Sequence, residues 1–195
     1  MSFNSVFLLE DKISKFFGSP YAVATDCCTH ALELCLRLTN AKIAVSPNQT
    51  YISVPFVFEK LGLEWQFEND LWHDFYYITD DIIDAAVYWQ ENGYLSHTYM
   101  CLSFQYKKHL GLGRGGAILL DNEDDYLKLK KMSYDGRLPD TPWAEQNIDT
   151  IGYHYYMTPE TAELGLEKLP IAIRTQPKKW FWEDYPDLST MKVFQ

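Results

Sequence analysis

Between Val6 and Phe67 the hydrophobic spacing switches repeatedly between a helical and an extended period, and this alternation restricts the fold more than any other feature of the chain. Val6, Leu9, Ile13, Phe16 and Phe17 recur at helical spacing, with Gly18 placed to end the helix. Residues 21–24 form a short strand-like run. Residues 29–38 then put Ala31, Leu34, Cys35 and Leu38 on one helical face. The pattern repeats as a strand at 42–46, a turn at 47–49, a helix at 50–61 closed by Gly62, and a strand at 63–67. Pro55 is the weak point of that helix, since proline removes a backbone donor. Alternating β and α units predict an α/β fold with a mostly parallel sheet flanked by helices.

Further strands are predicted at 75–78, 82–86, 99–104 and 117–120. A helix at 122–134 has Asp121 or Asn122 as cap and Gly136 past its end. Another at 158–169 has Thr158 as cap, Pro159 in first position and Pro170 as stop. The tail beyond Pro170 is rich in Trp, Phe and Pro and shows no period.

With 195 residues, 47% of them hydrophobic, the chain can bury one sizeable core, and a single domain over 1–195 is expected. Lys and Arg number 17 against 27 Asp and Glu, a net charge of −10 that argues against nucleic acid or an anionic membrane as partner. Lys128, Lys130 and Lys131, and the pair Lys178 and Lys179 beside Trp180, Phe181 and Trp182, read as solvated faces. No leader pattern or apolar run of ~18 residues is present, which predicts a cytoplasmic protein. Cys27, Cys28, Cys35 and Cys101 lack metal-ligand spacing and read as reduced thiols, with no metal.

Open α/β sheets bind ligands beyond the carboxyl ends of their strands, so the residues following each strand are the candidates. Thr29, where a helix begins, is either an ordinary helix-start residue or part of a phosphate site. Asp84 sits among Ile82, Ile83, Ala85 and Ala86, where a carboxylate needs a donor or cation as partner, or is simply the cap of a strand end. Lys107 and Lys108 precede the glycine-rich run Gly111 to Gly116, which has neither the P-loop order nor dinucleotide-fingerprint spacing. Taken alone, the two lysines read as solvent-facing.

In their order along the chain these segments resemble the DegT/DnrJ/EryC1/StrS sugar aminotransferases, among the fold-type-I pyridoxal 5'-phosphate (PLP) enzymes. The resemblance is carried by Phe17-Gly18 with Tyr21-Ala22-Val23-Ala24, by Cys28-Thr29-His30-Ala31-Leu32, and by Pro47-Asn48-Gln49-Thr50-Tyr51. It continues through Asp84-Ala85-Ala86, Ser103-Phe104-Gln105-Tyr106-Lys107-Lys108, Gly113-Arg114-Gly115-Gly116-Ala117, and Gly152-Tyr153-His154-Tyr155-Tyr156-Met157-Thr158.

The resemblance implies the large domain of those enzymes, in an abridged form without the small C-terminal domain, working as a homodimer. It implies that Lys108 bonds to the cofactor aldehyde and carries protons, and that Asp84 keeps the pyridine nitrogen protonated. Tyr51 would stack on the ring, and Thr29, Ser103 and the helix head at Cys28 would hold the phosphate. His154, where the family has Asn, would reach the partner subunit's phosphate. The implied reaction moves an amino group from an amino acid to a keto-sugar nucleotide; a non-catalytic PLP-binding or interaction module is the alternative. A related dehydratase branch has His at the lysine position, whereas here His109 falls one residue later. Asp26 and Arg114 also depart from the family pattern, Arg114 replacing an acid.

Overall fold

The computed structural model describes residues 3–195. Its elements follow the alternation in the sequence: α1 (Asn4–Phe17), β1 (Tyr21–Thr25), α2 (Cys28–Leu38), β2 (Ile43–Pro47), α3 (Ser53–Leu61) and β3 (Glu64–Glu68). Gly18 and Gly62 close α1 and α3 in the left-handed conformation, at φ 75° and 65°. Pro55 falls in the first turn of α3, where the backbone N–H has no intrahelical acceptor in any case. Then come β4 (Tyr76–Tyr77), β5 (Ile82–Asp84), β6 (Tyr99–Ser103), β7 (Gly116–Leu120), α4 (Glu123–Ser133) and α5 (Pro159–Arg174). Among the described residues no helix is long and apolar enough to cross a membrane.

The α/β class stands, but the sheet is not mostly parallel. Five strands lie in the order β1-β7-β6-β5-β4, and only β5 and β6 pair parallel. The reason lies in the connections. Residues 104–115 contain no helix to carry a crossover, so β6 returns as a wide hairpin and β7 runs antiparallel to it. The ladder extends into that loop, with the Phe104 N–H donating to the Gly115 carbonyl at 2.8 Å. The short turn between β4 and β5 forces a second antiparallel pair. The parallel pair β2 and β3 forms a separate ribbon, tied to the main sheet where the Val45 N–H donates to the Ile78 carbonyl at 2.9 Å.

Since β1 and β6 both run antiparallel to β7, they share a direction, and β5 shares it too. Their carboxyl ends, at Thr25, Asp84 and Ser103, therefore lie along one edge of the sheet. Side-chain alternation divides the core between two faces. Ala22, Ala24, Met100, Leu102, Ala117 and Leu119 pack against α1 and α5, while Val23, Cys101, Ile118 and Leu120 pack against α2 and α3.

Two local expectations are corrected. Helix α5 does not stop at Pro170 but runs through it to Arg174. Pro170 is exposed, so water can serve the carbonyl that loses its partner, while Leu169 and Ala172 stay buried against the α1 side of the core. Lys130 is not on a solvated face. It is buried, and its Nζ donates to both oxygens of Glu10, at 2.7 and 2.8 Å. The Ala24 N–H also donates to that carboxylate at 2.7 Å, linking α4, α1 and β1. Burial pushes the Glu10 carboxyl up and Lys130 opposes it. Removing one partner of a buried pair strands the other charge. Lys130→Met is expected to destabilise the protein by about 3 kcal/mol in urea unfolding; a loss below about 1 kcal/mol would show the pair to be dispensable.

Candidate active site

A cavity of about 300 Å³ opens at the sheet edge where β1, β5 and β6 end. Cys28, Thr29, Tyr51, Asp84, Ser103 and Lys108 all line it, although they come from four separate segments. Helix α2 begins there, with Cys27 rather than Thr29 in the flanking position and no side-chain cap. Its first N–H groups lack intrahelical acceptors, which makes the helix head a site for an anion. The Thr29 hydroxyl bonds to that of Ser53, at the start of α3, at 2.7 Å. A Cβ on Gly116 would come within 2.6 Å of both Cys27 C and Cys28 N, so only glycine lets β7 pass beneath the helix head.

Asp84 is buried at one wall and has the partners such a carboxylate needs. Tyr76 donates its hydroxyl to Oδ2 at 2.6 Å, and the Ala86 N–H donates to Oδ1 at 2.9 Å. Thr50 in turn bonds the Tyr76 hydroxyl. Burial pushes the Asp84 carboxyl above the ordinary range, with Tyr76, Ala86 and Lys108 pulling it back.

Lys108 is half-buried and lines the same cavity, whereas Lys107 is exposed, so the solvent-facing reading holds for Lys107 alone. The Lys108 amine is depressed below the usual lysine range, chiefly by desolvation, while Asp84 and Cys28 oppose the shift. His109 turns away toward the end of α5, where its Nε2 lies 2.8 Å from the Ala172 carbonyl oxygen.

The two charged departures at the helix head compensate each other. Arg114 Nη2 donates to Asp26 at 2.7 Å, and His30 Nδ1 lies 2.7 Å from the other carboxylate oxygen. The imidazole, stacked on Tyr155 at 3.6 Å, is raised to about 9: burial lowers it, but the hydrogen bonds to Asp26 and Cys27 outweigh that. The Cys28 thiol points into the core, donating to the Cys101 carbonyl at 3.4 Å, and burial keeps it protonated. His154 lies outside the cavity, exposed and paired with Asp135 at 3.0 Å.

Three residues at this site were not singled out in the sequence: Tyr76, Trp180 and Tyr185. Tyr76 lay inside a predicted strand with nothing to mark it as the donor to Asp84. Trp180 and Tyr185 belong to the tail without a period, which folds back across the cavity. Asp26 and Arg114 did carry a signal, as opposite charges replacing family residues on two segments of the same motif set.

The profile of the DegT/DnrJ/EryC1/StrS aminotransferase family matches residues 2–89 and 73–185. No curated protein matches the chain. Among solved structures, AtS13 from Actinomadura melliaura is similar at a TM-score of 0.76 and 19% identity, over 87% of this chain and 60% of that one. The PLP form of Spr1654 from Streptococcus pneumoniae is similar at 0.69 and 20%, over 85% and 59%. Helicobacter pylori PseC, an aminotransferase involved in the biosynthesis of pseudoaminic acid, is similar at 0.72 and 14%, over 87% and 58%. At these identities the likeness is one of fold, and the chain spans about 60% of the length of those proteins.

Proposed function

Because the chain belongs to the DegT/DnrJ/EryC1/StrS aminotransferase family, we propose that the cavity at the ends of β1, β5 and β6 is the PLP site of an aminotransferase. One observation carries the reading: an amine depressed by burial and a buried, hydrogen-bonded carboxylate line one cavity, at the head of a helix. The donor set fits the cofactor. The negative charge of Asp26 near the phosphate end is taken up by Arg114 and His30, and the Cys28 side chain points away into the core. The hydroxyls of Thr29 and Ser103 and the N–H groups of α2 are left to hold phosphate. Tyr51, at the mouth, would face the ring.

When bound, PLP supplies an aldehyde that condenses with amines and a protonated ring that withdraws electrons from the bond being broken. Asp84 would hold the proton on the pyridine nitrogen, its carboxylate fixed by the bonds from Tyr76 and the Ala86 N–H. Lys108 reacts as a neutral amine because desolvation lowers its proton affinity. The Lys108 Nζ would take the proton from the carbon bearing the substrate's amino group and would later return one. The substrates are an amino-acid donor and a keto-sugar nucleotide, and the protein acts as a homodimer in which the exposed His154 reaches the partner subunit's phosphate.

PLP added to pure protein is expected to give a new visible absorption and, after borohydride reduction, a stable mass increment on Lys108. Glutamate or glutamine should then convert the cofactor to pyridoxamine phosphate. Absence of the increment at Lys108 ends this reading. A protein that takes PLP there but leaves it unchanged with every amino acid is a binder and not a transferase.

A further inference from the structure

The tail after α5 carries the strongest unassigned contacts to Lys108. We propose that Tyr185 is a positioning residue for Lys108, its hydroxyl fixing the free Nζ, and that Trp180 roofs the pair; this rests on Lys108 being the reactive amine. Lys108 Nζ lies 3.3 Å from the Tyr185 hydroxyl and 4.9 Å from the centre of the Trp180 ring. A phenol suits an amine that changes protonation, since its oxygen accepts from the ammonium and its O–H donates to the neutral amine. Burial, with Asp84 nearby, pushes the Tyr185 hydroxyl up, so its own proton stays in place.

The tail is fixed by specific bonds. The Asp74 N–H donates to the Trp180 carbonyl and the Trp182 N–H to the Trp72 carbonyl, both at 3.1 Å, and the Leu188 N–H donates to the Asn48 carbonyl at 2.8 Å. The Leu188 side chain is buried. Asp184 accepts from Lys178 Nζ at 2.9 Å and from the Phe181 N–H at 3.0 Å, and Lys178 Nζ sits 3.8 Å above the Trp180 ring. Trp72 packs between the tail and the Asp84 wall, its ring 5.6 Å from Tyr185 and 5.2 Å from Tyr76, the donor to Asp84. The tail thus places a hydroxyl and an aromatic ring against the lysine.

Competitive acetylation of cofactor-free protein across pH, read by mass spectrometry, tests this without PLP. Lys107, exposed in the same peptide, is the reference. The groups around Lys108 are Asp84 of β5, Cys28 of α2, the neighbouring Lys107, and Lys178 and Tyr185 of the tail, with Tyr51, Arg114 and Asp184 also lining the cavity. Tyr185→Phe keeps the ring and removes the hydroxyl; the charge-assisted bond it accepts from the ammonium is stronger than the one it donates to the neutral amine, so the Lys108 midpoint should fall by about half a pH unit. Trp180→Ala opens the roof, so Lys108 should be labelled several-fold faster relative to Lys107.

An unchanged midpoint in Tyr185→Phe, or a rise accompanied by faster labelling as from a loosened tail, overturns the positioning role. An unchanged rate in Trp180→Ala overturns the roof. Failure of the wild-type protein to capture PLP would instead count against the aminotransferase reading and leave these outcomes readable.

Discussion

Replacing Lys108 by alanine is expected to abolish covalent capture of PLP and to lower amino transfer from glutamate by about 10⁴-fold, while the fold survives. The loss is large because one nitrogen has two tasks. It is the nucleophile that bonds the aldehyde and the acid–base group that carries the proton, and positioned proton transfer alone contributes about 10²–10⁴-fold. Stability should change little, because the direct partners of Lys108 are a hydroxyl and two aromatic rings, and Asp84, which loses a nearby positive charge, can take up a proton instead of staying charged. Asp84 keeps its bonds from Tyr76 and Ala86. Lys107→Ala is the control, since the side chain next in sequence is exposed and its removal should leave capture intact. Borohydride trapping and peptide mass decide the matter, with the melting temperature measured alongside. An adduct that persists in Lys108→Ala, or shifts to Lys107, would remove the basis of the proposed reaction. A small primary amine added to the variant should restore part of the proton transfer, separating that task from covalent anchorage.

Lys108 could be proposed only through the family resemblance, in which the serine and the lysine after a strand set the register; taken alone, it read as a solvent-facing side chain. Helices were legible from local order: apolar spacing, glycine ends and the Asn122 and Thr158 caps act within a few residues. Sheet direction was not legible from alternation, since it depends on whether a connection holds a helix, and residues 104–115 hold none. Lys130 was misread because its charge suggested a surface, while its partner Glu10 comes from the first helix. Tyr76 and Tyr185 were beyond reach for a related reason. Asp84 announced that it needed a donor, but which of the chain's 14 tyrosines would supply it is decided by packing. The tail, without a period, gives no sign of which surface it will cover; backbone bonds to Asn48, Trp72 and Asp74 decide that.

Asp84→Asn is expected to lower amino transfer by about 10³-fold and, in the same protein without cofactor, to raise stability at neutral pH by on the order of 1 kcal/mol. The two effects have one cause. Burial raises the carboxyl in the folded state above its unfolded value, so between those two values the folded protein holds the proton more tightly. The contribution of Asp84 to stability is therefore fully present below the unfolded value and is lost as pH rises through the folded one. At neutral pH the charge is a cost, which the amide removes while still accepting the Ala86 N–H and sharing a hydrogen bond with Tyr76. Glu10, also raised by burial, adds a slope of the same sign, so the informative quantity is the wild-type curve minus that of Asp84→Asn. That difference should vanish in acid and grow toward neutral pH in urea unfolding. With PLP bound, the sign of the charge effect reverses: a carboxylate that destabilises the empty site becomes the counter-ion of a protonated ring, and an amide cannot keep that proton in place. A variant that is less stable at neutral pH, or that transfers amino groups at the wild-type rate, would make Asp84 a structural strand end that caps Ala86 and anchors Tyr76, and nothing more.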